Sequence, residues 1–184
     1  AIKDEGVGGQ FVAGSRTSAA EHTPGGFTYE DMVKFHKMLI ELGSSFVDLS
    51  DSAGYERWDI FIPDEDKMPL KIEQAHYFDK ELDVPVLIPS IHDPALAAQL
   101  ANETKNIIFS HGRQSLADPD WTNKIRDGKI DEINRCKRCN IGCMLKYGIH
   151  AGVQLRCVIN PEMGFEMYDS ANFPKPMAPG KYLR

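Results

Sequence analysis

Short apolar runs alternate with amphipathic stretches along the first two thirds of the chain. Gln10 to Ala13 is mostly apolar and ends at Gly14, which predicts a strand. Thr28 opens a helix, with Tyr29, Glu30 and Asp31 in its first turn. Thr28 and Asp31 approximate a capping box with a shorter acid. Met32, Phe35, Leu39 and Leu42 follow at helical spacing, and Gly43 can stop the helix. Ser45 to Leu49 reads as the next strand, and a loop with Gly54, Tyr55 and Trp58 follows it. Pro69 suits a first helical position, so Leu70 to Leu82 is a second helix. Val84 to Pro89 is an apolar strand, and Asp93-Pro94 caps a third helix running to about Asn102. Ile107 to Ser110 is a further strand. Asp118-Pro119 opens a short helix, and a polar helical stretch leads to Cys136.

The resulting order, β-α-β-α-β-α-β, calls for a parallel sheet covered by helices. Open doubly wound sheets and closed barrels both satisfy it. No G-x-G-x-x-G follows a strand, so the usual dinucleotide fold has no support. Asn172 to Arg184 carries Pro174, Pro176, Pro179 and Gly180 and reads as a linker or extended tail.

Charge and composition narrow the partners. The 184 residues carry a net charge of −6, and the basic residues are scattered, which argues against nucleic acid. No apolar stretch approaches membrane-spanning length. Ala1 to Gln10 lacks an apolar run of signal-peptide type, so a cytoplasmic location is expected.

The four cysteines carry the strongest chemistry. Cys136, Cys139, Cys143 and Cys157 are spaced C-x2-C-x3-C-x13-C. Disulfides need an oxidising compartment. Structural zinc usually takes two separated C-x2-C knuckles, and Cys143 and Cys157 form no second knuckle. A cubane iron–sulfur cluster suits three close cysteines and one remote one. The spacing favours the cluster over zinc and leaves both open. Arg135, Lys137 and Arg138 surround Cys136, either as solvated surface or as positive charge offsetting thiolates.

Three segments resemble one family. G-R-Q-S-L-A-D-P-D-W (Gly112 to Trp121) resembles the end of the barrel in the old yellow enzyme-like NADH:flavin oxidoreductases. D-E-I-N-R-C-K-R-C-N-I-G-C (Asp131 to Cys143) resembles the iron–sulfur branch, which includes 2,4-dienoyl-CoA reductase, 2-enoate reductase and trimethylamine dehydrogenase. C-V-I-N-P-E-M-G-F-E (Cys157 to Glu166) fits the same branch, whose fourth cysteine precedes an N-P pair. The match runs from about Phe11 to Glu166.

The resemblance implies an α/β fold: the C-terminal half of a (β/α)8 TIM barrel followed by an iron–sulfur cysteine segment. Residues 1–130 would hold barrel strands five to eight with their helices. Residues 131–168 would form the cluster segment, and 169–184 a linker towards a Rossmann-type domain. A whole barrel takes about 250 residues, so the remaining half must come from elsewhere in the enzyme. The implied cofactors are a [4Fe-4S] cluster on Cys136, Cys139, Cys143 and Cys157, and FMN, with FAD and NAD(P)H bound by further domains. A homo-oligomer is expected.

The family's pattern also assigns roles residue by residue. Arg16, in Ser15-Arg16-Thr17-Ser18, matches an arginine at the flavin pyrimidine edge, where a guanidinium stabilises negative charge; otherwise it is a surface ion pair. Gly112 and Arg113 match the pair that holds the FMN phosphate. Pro89-Ser90 stands where many relatives have Gly-Arg. Proline has no N–H to offer a phosphate, and Ser90 can offer a hydroxyl. Tyr55, in A-G-Y-E, falls near the position of a catalytic histidine, and a phenol can donate a proton or hydrogen bond there. His92, His111 and His150 are more ordinary as structural residues, and Trp58 and Trp121 as packing.

The whole enzyme is thereby expected to reduce an activated C=C bond of a small enoate, enoyl-CoA or enone with electrons from NAD(P)H. Amine dehydrogenation is the alternative within the family. A non-flavin structural metal-binding module is the alternative outside it.

Overall fold

The computed structural model describes residues 11–21, 23–50, 68–144 and 155–164. Four strands and their connecting helices form the first of two units, which divide between Ser110 and His111. The strands are β1 (Gly14–Ser18), β2 (Phe46–Ser50), β3 (Val86–Pro89) and β4 (Ile107–Ser110). The helices between them are α1 (Tyr29–Glu41), α2 (Met68–Glu81) and α3 (Pro94–Glu103).

All neighbouring strands pair in parallel, in the order β1-β2-β3-β4. A doubly wound sheet reverses its strand order at a switch point, and the described strands contain no such reversal. Successive right-handed crossovers instead put every connecting helix on one face.

Register separates the two faces. Val47 pairs with Val86 and Val86 with Ile107. These positions, with Leu49 and Ile88, meet the helices through Met32, Val33, Ala75, Phe78 and Leu100. Fully burying each large side chain contributes roughly 1.5–3 kcal/mol. The opposite face carries Arg16, Asp48, Leu87 and Ile108 in one row.

The predicted caps account for two helix starts. The Thr28 hydroxyl accepts from the Asp31 N–H (3.2 Å), and the Asp31 carboxylate accepts from the Thr28 N–H (3.0 Å). Asp93 accepts from the Ala95 N–H at 3.1 Å, with Pro94 in the first turn. Gly43 follows α1 with φ 108°, a left-handed value that favours glycine.

Other expectations shift. The first strand is Gly14–Ser18, not Gln10–Ala13. Gly14 lies inside the ladder opposite Phe46, because a glycine can enter a strand where a neighbouring ring leaves no room for a side chain. Phe35 and Leu42 are exposed on α1, whereas Met32, Val33 and His36 are buried. The buried stripe follows the sheet rather than the apolar spacing alone.

The second unit holds two short helices, α4 (Arg113–Ala117) and α5 (Trp121–Arg126), a 3-10 turn at Ile130–Glu132, and an irregular cysteine-bearing chain. The helix expected at Asp118-Pro119 begins at Trp121. The approach to Cys136 is a 3-10 turn and extended chain rather than a polar helix. Among the described residues, no helix is long and apolar enough to cross a membrane.

Candidate functional site

The first unit offers the carboxyl ends of its strands, where parallel α/β sheets commonly carry ligands. Arg16 stands on β1 beside Asp48 on β2, and its guanidinium donates to the Asp48 carboxylate at 2.9 Å. The Arg16 side chain is still 58% exposed. Asp48 Oδ1 is buried and has no hydrogen-bond partner among the described residues. Ser90 follows β3 with φ 74°, and its N–H donates to the Ser110 carbonyl at 3.4 Å. A left-handed serine costs of order 1–3 kcal/mol and is typical of places where a chain is held for a purpose. Tyr55, Trp58 and His150 lie outside the described residues.

His36, which the sequence reading passed over, is fully buried on α1. Its Nε2 lies 2.9 Å from the Thr17 hydroxyl of β1, and its Nδ1 has no partner among the described residues. Burial lowers the imidazole below its usual value, so the neutral ring is favoured. Only its place at helical spacing next to Phe35 could have hinted that it faces the sheet.

In the second unit Cys136, Cys139 and Cys143 lie along one irregular stretch, and Cys157 lies on another. All are free thiols of intermediate burial. Burial pushes the Cys143 thiol up, and the Cys136 sulfur adds to this. Arg113 pulls it down, while Cys139 and Cys157 push it up again. Cys143 therefore lies within electrostatic reach of the other three sulfurs and of one guanidinium. Of the basic side chains nearest in sequence, Arg135 and Lys137 are exposed.

Backbone geometry shapes the loop. Arg138 and Asn140, on either side of Cys139, have φ 53° and φ 58°. Left-handed residues alternating with ordinary ones curl the chain into a concave nest with inward N–H groups, a form found at iron–sulfur and phosphate sites. The Arg138 N–H donates to Cys136 Sγ (3.3 Å) and the Ile159 N–H to Cys157 Sγ (3.4 Å). This donor set, four thiols with N–H groups turned onto sulfur, fits an iron–sulfur cluster in its chemistry. Among the described residues, however, no three His, Cys, Asp or Glu side chains are gathered into a group that could hold a metal ion.

Gly112 and Arg113 start α4. A Cβ on Gly112 would meet nothing within 4 Å, so internal packing does not demand glycine there. Arg113 Nη1 donates to Asn140 Oδ1 at 2.7 Å. His111 is partly buried with its ring edge-on to buried Trp121, centroids 4.4 Å apart, and burial lowers its pKa. Both are packing residues in this unit.

Comparisons with known proteins follow the same line. No family model matches the chain. It is 30% identical over 163 residues to an NADH oxidase of Thermoanaerobacter brockii, which covers 88% of this chain and 25% of that protein. It is 30% identical over 132 residues to a cinnamate reductase of Clostridium sporogenes, covering 71% and 19%. A dimethylamine dehydrogenase of a Hyphomicrobium species is 28% identical over 165 residues, covering 83% and 20%. Among solved structures, histamine dehydrogenase from Rhizobium sp. 4-9 superposes with a TM-score of 0.68 at 22% identity, over 89% of this chain and 23% of that one. The chain thus spans a quarter or less of the length of the relatives it matches.

Proposed function

Since this chain belongs to the old yellow enzyme-like NADH:flavin oxidoreductase family, in its iron–sulfur branch, we propose that it supplies barrel strands five to eight and the cluster segment of an NAD(P)H-dependent ene-reductase. The observation that carries this is the C-x2-C-x3-C-x13-C set of Cys136, Cys139, Cys143 and Cys157 in the unit that follows a four-stranded parallel β/α sheet.

The sheet supports a half barrel. Its order has no switch point, and β1 and β4 are each paired on one side only among the described strands. Phe27, Phe35, Met38 and Leu42 are exposed on and beside α1, Leu42 at 78%. Further β/α units would cover that apolar surface and pair the open edges.

In the whole enzyme, bound [4Fe-4S] and FMN, with FAD and NAD(P)H on other domains, would supply single-electron relay and hydride transfer. The residues here would bind and tune them. Cys136, Cys139, Cys143 and Cys157 would hold the cluster. Arg16 would leave its exposed pairing with Asp48 to face the flavin pyrimidine edge, where positive charge stabilises a reduced ring. Gly112 and Arg113 would serve the FMN phosphate through close backbone approach and charge, and Ser90 would add its hydroxyl. Tyr55 would donate a proton to the carbon alpha to the substrate carbonyl.

The cinnamate reductase among the relatives supports C=C reduction, and the dimethylamine dehydrogenase supports amine oxidation as the second reading. Anaerobic assays on the full-length enzyme decide the matter. NADH-dependent loss of an enoate or enone with no turnover of secondary amines is expected. Amine-dependent reduction of an electron acceptor, with enoates inert, would move the protein to the dehydrogenase side. Absence of any flavin absorption would leave a metal-binding module.

A further inference from the structure

The cysteine-bearing segments all tie back to one short helix, the first turn and a half after Gly112. Gln114 is fully buried, and its amide makes two bonds to the chain around Cys136. Its Oε1 accepts from the Cys136 N–H at 2.9 Å, and its Nε2 donates to the Asn134 carbonyl at 3.1 Å. One residue earlier, Arg113 donates to Asn140, which is 4% exposed and lies between Cys139 and Cys143. Two residues later, the Leu116 carbonyl accepts from Asn160 Nδ2 at 3.0 Å, three residues after Cys157. Asn160 Oδ1 in turn accepts from the Glu162 N–H at 3.1 Å. At the end of α4, buried Asp118 accepts from the Asn134 N–H at 2.8 Å.

We propose that α4 is a template that holds the backbone of the cysteine-bearing segments in place before any metal arrives, and that Gln114 is its central positioning residue. The chemistry is that of a strand pairing made by a side chain. A primary amide presents one acceptor and two donors in a plane, so it can hold an N–H and a carbonyl of an extended chain together. A buried amide that loses these partners bears the full cost of desolvation, so its geometry is strongly enforced. No thiol takes part in these bonds except through its own backbone, so they need no metal. Pre-organisation of this kind raises metal affinity by removing the ordering cost from the binding step.

This inference rests on reading the nest as a cluster site, and the experiment separates the two. Hydrogen exchange is followed at the Asn134–Cys139 peptide in the full-length enzyme after chelation of its metal. Iron release to a chelator and the g-values of the reduced cluster are followed in the loaded enzyme. The variants are Gln114→Met, which keeps the shape and loses both bonds, and Asn160→Asp. The latter keeps the acceptor for Glu162 and loses the donor to Leu116.

In the metal-free wild type, the Cys136 amide is expected to exchange at least tenfold more slowly than in Gln114→Met. The loaded Gln114→Met enzyme should release iron at least tenfold faster and show shifted g-values. Asn160→Asp should release iron several-fold faster with the Cys136 amide still protected. An unprotected Cys136 amide in the metal-free wild type would overturn the template. So would wild-type iron release in both variants. A protected Cys136 amide in a protein that never holds iron would keep the template and remove the cluster.

Discussion

The Arg156 N–H donates to the Gly142 carbonyl at 3.2 Å, and this single bond brings the chain of Cys157 against the loop of Cys143. A Cβ added at Gly142 would lie within 2.9 Å of the Arg156 carbonyl carbon, a separation that van der Waals radii forbid. Glycine at 142 is therefore a condition for the close approach of the segments that carry Cys143 and Cys157. Gly142→Ala should destabilise the protein by roughly 1–3 kcal/mol, the usual range for overpacking. Its iron content should fall below half that of the wild type. Full iron loading with an unchanged melting temperature would show that the two segments do not need this approach.

Asp118 anchors the same unit through Lys124 Nζ at 2.7 Å and the N–H groups of Asn134 and Asp120. Burial pushes its carboxyl up, but these bonds and the Lys124 charge together hold it below 3.8. Removing one partner of a buried pair costs about 3–5 kcal/mol, so Asp118→Ala should lower the melting temperature by several degrees. The stabilisation from Asp118 is complete above 3.8 and is lost as pH falls through its lowered folded-state value. Acid unfolding followed by circular dichroism should be less steep in Asp118→Asn than in the wild type. Superimposable curves would remove Asp118 from the acid transition.

His36 adds a loss of stability on acidification that begins at higher pH than that of Asp118. Its folded-state pKa lies below 6.5, so the unfolded chain binds a proton first as pH falls. The stability is whole above 6.5 and declines from there through the lowered folded-state value. The melting temperature should fall between pH 7.5 and pH 5, and His36→Phe should flatten that fall. A melting temperature equally sensitive to pH in His36→Phe would assign the titration elsewhere.

The Thr28 and Asp31 cap makes a simpler test. Thr28→Ala removes the acceptor of the Asp31 N–H and should cost about 1 kcal/mol. Equal stability of the variant would mean that α1 is held by its packing alone.

That cap was legible in the sequence because a capping box is local. So were the starts of α2 and α3, marked by prolines, and the β/α alternation. What could not be read was set by partners far along the chain. Arg113 was recognisable from its match to a phosphate-binding Gly-Arg pair, yet its bond to Asn140 spans 27 residues. Gln114 falls inside the Gly112 to Trp121 stretch but had no role assigned there, and its function as a clamp depends on Asn134 and Cys136 arriving beside it. α4 itself went unseen because five residues after a glycine give neither a cap nor a helical period. Gly14 was misread as a stop because the ring of Phe46, which it accommodates, lies on another strand. The cysteine spacing drew attention to this segment, and the groups that bond its backbone came only with the fold.

Whether the four cysteines hold an iron–sulfur cluster in a flavoenzyme is read directly from metal, sulfide and flavin content. Iron, zinc and acid-labile sulfide should be measured on the anaerobically purified full-length protein, with a visible spectrum. The account predicts about four iron and four sulfide per chain, with flavin absorption above the broad cluster band. One zinc per chain without sulfide or flavin would contradict it.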